Sequence, residues 1–239
     1  MCLRRKRKEI ELMENLTTND KSLAKKLLNG KICDLKDMEV RSVLICFQKI
    51  ADYFLEKSGQ DMQSRPQLLE ILETEGVEVH SLPFEDTNLG GALLVNVEVA
   101  GAKSNKVIMI NKNFEPKDEE DKRKRCTLAK MFGHYIIRQI VAEEKEKISV
   151  YSYKSEAGYD PERGRDAANL FAACLLISVG NFEETYSTIV TSDNETMRTS
   201  QEEKVCQVLA AEFAIIPTKI KEWLGTFKKL WEQERGHTK

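Results

Sequence analysis

Cys126, Lys130 and His134 recur every four residues in the stretch R-C-T-L-A-K-M-F-G-H-Y-I-I-R, Arg125–Arg138. On a helix that spacing puts all three on one face. His134 offers a ring nitrogen for a metal or for proton transfer. Cys126 offers a thiol that, once ionised, is both a nucleophile and a soft ligand. Lys130 between them carries a positive charge and, while protonated, no lone pair. Pairing Cys126 with His134 as nucleophile and base meets a distance problem, since i and i+8 lie about 12 Å apart along a helix axis. A soft metal site from Cys126, His134 and Asp166 meets the same separation. Cys174, in F-A-A-C-L-L, reads as a core thiol.

The segment Lys130-Met131-Phe132-Gly133-His134 has the frame of H-E-x-x-H, in which two His at i and i+4 ligate zinc and the Glu beside the first acts as general base. Arg125-Cys126-Thr127-Leu128-Ala129-Lys130-Met131-Phe132-Gly133-His134 resembles the R-F-T-L-A-H-E-x-G-H segment of the ImmA/IrrE metallopeptidase family. Arg165-Asp166-Ala167-Ala168-Asn169-Leu170-Phe171-Ala172-Ala173-Cys174-Leu175-Leu176 resembles that family's second helix, E-x-x-A-N-x-F-A-x-x-L-L. The likeness runs over residues 38–225 and includes the ending Leu209-Ala210 and Phe213 to Leu224.

The resemblance implies a zincin-like α+β fold and a protein connected with cleaving or controlling transcriptional repressors in mobile elements and stress responses. It also marks what has changed. Lys130 stands where the first zinc ligand would be, and Met131 where the base would be. Only His134 keeps its place. Arg165 falls at the position of the third ligand, a Glu, with Asp166 one residue and about 100° away around the helix. The expectation is therefore a vestigial site (Lys130, Met131, His134) with no cofactor, and a pocket drawn from Cys126, Lys130, His134, Glu162, Arg165, Asp166 and Asn169. In that pocket Lys130 supplies covalently the charge of a zinc ion and pairs with Asp166 or Glu162. The alternative is a zinc metallo-endopeptidase with rearranged ligands, His134 and Asp166 among them.

The elements that must position these residues follow from periodicity. Met38–Lys57 has apolar residues at helical spacing, among them Val43, Leu44, Phe47, Ile50 and Phe54. A short helix holding Leu68, Leu69, Ile71 and Leu72 follows Pro66 and ends at Gly76. From Val77 the period changes to two. Val77 and Val79, Leu93 to Val99, and Val107 to Ile110 predict three strands in an antiparallel meander, broken at Gly90-Gly91 and 101–105.

A covering helix is predicted just after Pro116, where acids at 118–121 precede bases at 122–125 by four residues each. Asp160-Pro161-Glu162 has the residue types of a helix start. Residues 181–200 read as a short helix and a loop. Glu203–Trp231 is predicted helical, divided at Pro217.

The fold expectation is thus a small three-stranded antiparallel sheet packed against several helices, with helical N- and C-terminal additions. It divides into a basic arm over 1–35, a metallopeptidase-like domain over 36–180 and a C-terminal helical extension over 181–239. With 41% hydrophobic and 32% charged residues, the composition of the 239-residue chain is that of a globular protein. No run reaches the roughly 20 apolar residues of a membrane span. The start M-C-L-R-R-K-R-K-E has no apolar stretch for a signal peptide. Six cysteines with no C-x-x-C pair suit free thiols, and the expected location is the cytoplasm. A net charge of −2 disfavours broad nucleic-acid binding, leaving Arg4–Lys8 as a weak candidate contact. The expected partner is a protein, such as a transcriptional regulator, with no membrane partner.

Overall fold

Helix α1 (Asp37–Lys57) buries Val43, Leu44, Phe47, Ile50, Ala51 and Phe54 along one face, as its apolar spacing requires. In this computed structural model the described residues are 22, 37–61, 64–87, 89–96, 100–113, 120–141, 150–151, 165–191 and 194–236. Arg4–Lys8, the Asp160-Pro161-Glu162 helix start and His237 lie outside them. Helix α2 (Leu68–Thr74) follows and ends at Gly76, whose φ of 65° is the left-handed conformation a helix stop favours. Lys57 at the end of α1 pairs with buried Glu75 at 2.5 Å and clamps the two helices together.

Strands β1 (Glu78–Leu82), β2 (Gly91–Val95), β3 (Lys106–Asn111) and β4 (Val150–Tyr151) form one sheet in the order β1-β3-β2-β4. The expected three-stranded antiparallel meander is corrected on two points. A fourth strand is present, and β1 runs parallel to β3 while β2 is antiparallel to both β3 and β4. The reason lies in the link over 83–90, which carries the chain past β3 before β2 begins. Asn111 at the end of β3 holds that link. Its Nδ2 donates to the carbonyls of Asp86 (3.0 Å) and Leu89 (2.8 Å), and its Oδ1 accepts from the amides of Phe84 and Asn113, both at 2.9 Å. Asn111 is buried, so these four bonds are what make its burial tolerable.

Helix α3 (Glu120–Val141) lies over β2 and β3 and packs most extensively on α4 (Arg165–Leu176). A Cβ on Gly133 would come within 2.8 Å of the Ala168 carbonyl oxygen and 3.1 Å of the Phe171 ring. Only glycine permits so close a helix crossing. Around it Phe132 meets Phe54 (5.1 Å) and Phe171 (6.0 Å) edge to face, and Phe171 meets Phe47 (6.5 Å). These aromatic contacts join α1, α3 and α4 into one core.

Helices α5 (Val179–Ile189), α6 (Glu195–Phe213) and α7 (Pro217–Gly236) complete the chain. Helix α6 begins eight residues before the predicted Glu203. Its first turns are polar and exposed, so hydrophobic spacing could not reveal them. They are held instead by the Asn194 cap, which accepts from the amides of Thr196 (3.1 Å) and Met197 (3.2 Å), and by the Arg198–Glu202 pair at 3.4 Å. The C-terminal helices are not a separate layer: Val205, Leu209, Phe213, Ile220 and Phe227 belong to the same core as α1 and α4. Among the described residues no helix is long and apolar enough to cross a membrane.

Candidate functional site

Three helices and the start of β2 converge on a cavity of about 230 Å³. Helix α3 presents Arg123, Cys126, Thr127, Lys130 and Met131 to it, a single face at helical spacing. Helix α4 adds Asn169 and Ala172, three residues apart. Ile216, the residue before α7, and Lys219 and Trp223 from its first two turns add to the lining, and Gly90 and Gly91 form the wall on the sheet side. Gly91 has no room for a side chain, because a Cβ there would lie 2.7 Å from Thr127 Cγ2 and 2.8 Å from the Met109 carbonyl oxygen. Reading Gly90-Gly91 as a break therefore missed its role: Gly91 opens β2 and lets the sheet approach α3.

Of the expected pocket residues, Cys126, Lys130 and Asn169 line this one cavity, and Met131 lines it beside them. His134, one turn beyond Lys130, is buried at 7% exposure and is not among the lining residues. Arg165 and Asp166, in the first turn of α4, do not line the cavity either. Glu162 lies outside the described residues. Met131 is 3% exposed and belongs to the hydrophobic core as well as to the cavity wall.

Two residues outside the expected pocket set matter here. Arg125 was read as half of an exposed acid–base pair. Instead its Nε donates to the Phe213 carbonyl at 3.0 Å, satisfying one of the last carbonyls of α6. Burial, and Arg65 nearby, pull the Arg125 guanidinium down to about 10. This bond ties α3 to the end of α6, three residues before Ile216. Trp223 is 5% exposed, and its indole Nε1 has no hydrogen-bond partner among the described residues. Neither residue could be assigned from sequence, because the α3–α7 contact spans roughly ninety positions and has no local pattern.

Burial raises the Cys126 thiol above its ordinary range, opposed by a hydrogen bond with the Ile216 backbone and by Lys219, Arg125 and Arg123. Cys174 is fully buried within reach of the Leu44 carbonyl (3.9 Å), and burial pushes its thiol up strongly. Both thiols are held in the un-ionised, poorly nucleophilic form. Cys126 and His134 belong to one continuous helix, so the two-turn separation expected from their spacing stands.

The lining side chains do not suit zinc. A catalytic zinc needs three donors and an open position. Here Arg123, Lys130 and Lys219 repel a cation, and among the described residues no carboxylate lines the cavity. Among the described residues no group of three His, Cys, Asp or Glu is placed to hold a metal ion. A search against protein-family models finds no match to this chain, and neither does a search of curated proteins.

Proposed function

We propose that this chain is a non-catalytic, protein-binding regulator on an ImmA/IrrE-type metallopeptidase-like frame, acting on a repressor-like partner. The observation that carries the reading is the pairing of two facts at one cavity. The helix pair that would present a zinc site is closely packed, with Gly133 set against Ala168. Yet the positions of the first ligand and of the base hold Lys130 and Met131, both lining the cavity. An ammonium cannot donate a lone pair to zinc, and a thioether cannot take a proton from water. A frame kept while its reactive groups are replaced favours binding over cleavage.

Metal analysis of the full chain, purified without chelators, tests this. The expected zinc content is far below one per chain. One tightly held zinc per chain, lost on His134→Ala, would overturn the reading in favour of a peptidase with rearranged ligands.

A further inference from the structure

We infer that the groove between α6 and α7 is a docking surface for a second copy of this chain, related by a two-fold axis that passes beside Gly225. The inference goes beyond the regulatory reading and does not depend on it.

The shape of the groove is the first ground. Glu202, well before the end of α6, pairs with Lys228, equally far beyond the start of α7, so the two helices lie antiparallel side by side. Between them is a cavity of about 350 Å³. Helix α6 lines it with Glu203, Cys206 and Gln207, and α7 with Lys221, Leu224 and Gly225, the same i, i+3, i+4 spacing on each. Cys206 and Leu224 are buried, whereas Glu203, Gln207, Lys221 and Gly225 are exposed. An apolar floor inside a polar rim is the anatomy of a protein interface, and the ridge of another helix is the shape that fills a groove between two.

Gly225 is the second ground. Glycine inside a helix weakens it relative to alanine. At Gly91 and Gly133 the chain itself accounts for the missing side chain, because a Cβ would strike a neighbour. At Gly225 a Cβ would meet nothing within 4 Å, so the packing of this chain gives no reason for the glycine. The missing side chain leaves room in the groove for the close approach of a helix from outside.

Charge decides which helix that is. Glu202 and Lys228 neutralise one another at 2.6 Å. Glu203 and Lys221 have no hydrogen bond or ion pair among the described residues. Lys221 stands four residues before Gly225, and the Glu202–Lys228 pair sets the Glu203 end of α6 beside the turn after Gly225. The two charges therefore flank Gly225 on opposite sides along the groove. A two-fold axis beside Gly225 exchanges those sides and carries Lys221 of each copy onto Glu203 of the other. Such self-complementarity is what an isologous interface requires. Exposed pairs of this kind add little affinity, so the charges set the register while the apolar floor supplies the binding.

Sedimentation velocity of the full chain over a range of concentrations tests this. A reversible dimer is expected. Glu203→Lys or Lys221→Glu alone sets like charges together at both contacts and should weaken the dimer about tenfold. An equimolar mixture of those two variants restores opposite charges at both contacts and should recover the parent's association. Gly225→Leu, which fills the groove without meeting its own chain at Cβ, should give a folded monomer and keeps the test valid if a charge variant does not fold. A monomer at every concentration overturns the proposal and leaves the groove to a different occupant. A dimer that all three variants leave intact overturns it as well, since the copies then meet elsewhere. Weakening by both charge variants without recovery in the mixture overturns the two-fold arrangement. Zinc content is a separate measurement, so failure here leaves the regulatory reading standing.

Discussion

Gly133 and Gly225 show how the same residue type can be indispensable in one helix and dispensable in another. Replacing a helical glycine with alanine gains up to about 1 kcal/mol from backbone entropy alone. At Gly225 an added Cβ meets nothing within 4 Å, so that gain should be realised. At Gly133 the Cβ would lie 2.8 Å from the Ala168 carbonyl oxygen, and backbone cannot give way as a flexible side chain would. Overpacking of this kind costs roughly 1–3 kcal/mol, which exceeds the helix gain. Urea denaturation should therefore find Gly225→Ala more stable than the parent chain and Gly133→Ala less stable. Equal stabilisation by both would mean that α3 and α4 do not cross so closely. Both Gly133 against Ala168 and Gly91 against Thr127 are close approaches, but Gly133 is the easier to recognise from sequence. The difference is that Gly133 stands within a helical apolar pattern, whereas Gly91 follows another glycine and looks like a turn.

The elements divide according to how their ends are determined. Helices α1, α3 and α4 have strong apolar periodicity, and α1 begins within a residue of its predicted start. Helix α6 is different. Its first turns have little apolar character, so its beginning depends on Asn194, whose side chain accepts two amide hydrogen bonds. Asn194→Ala should cost about 1 kcal/mol. Hydrogen exchange should show lost protection over the first turns of α6, with α3 and α4 unaffected. Unchanged protection there would show that the Arg198–Glu202 pair alone suffices to start the helix. In the sheet, strand positions were legible from alternation, but strand order was not. Alternation says which residues are extended, and has no term for the link that Asn111 fastens beneath β3.

At the scale of the molecule, the predicted boundary near residue 180 does not divide the core. Phe227 on α7 stacks on Phe182 of α5 at 4.2 Å, and Arg125 of α3 holds the end of α6. With one shared core the chain should unfold in a single transition. Far-UV circular dichroism, which follows every helix, and tryptophan emission, which follows α7 through Trp223 and Trp231, should give the same midpoint. Phe227→Ala should lower both together, by roughly 3–5 kcal/mol of stability. An earlier transition seen only in emission would instead show that the C-terminal helices fold as a separate unit.

By itself the sequence determined the helical segments, the switch to strands after Val77, and the grouping of Cys126, Lys130 and His134 on one helix face. Those are local properties, set by side-chain period and by glycine and proline punctuation. Only the tertiary structure decided that β1 lies beside β3 and that His134 is buried outside the lining of the cavity. It alone decided that α7 closes that cavity with Lys219 and Trp223. Each of these depends on contacts between residues far apart in the chain, where no spacing rule operates and packing alone selects the neighbour.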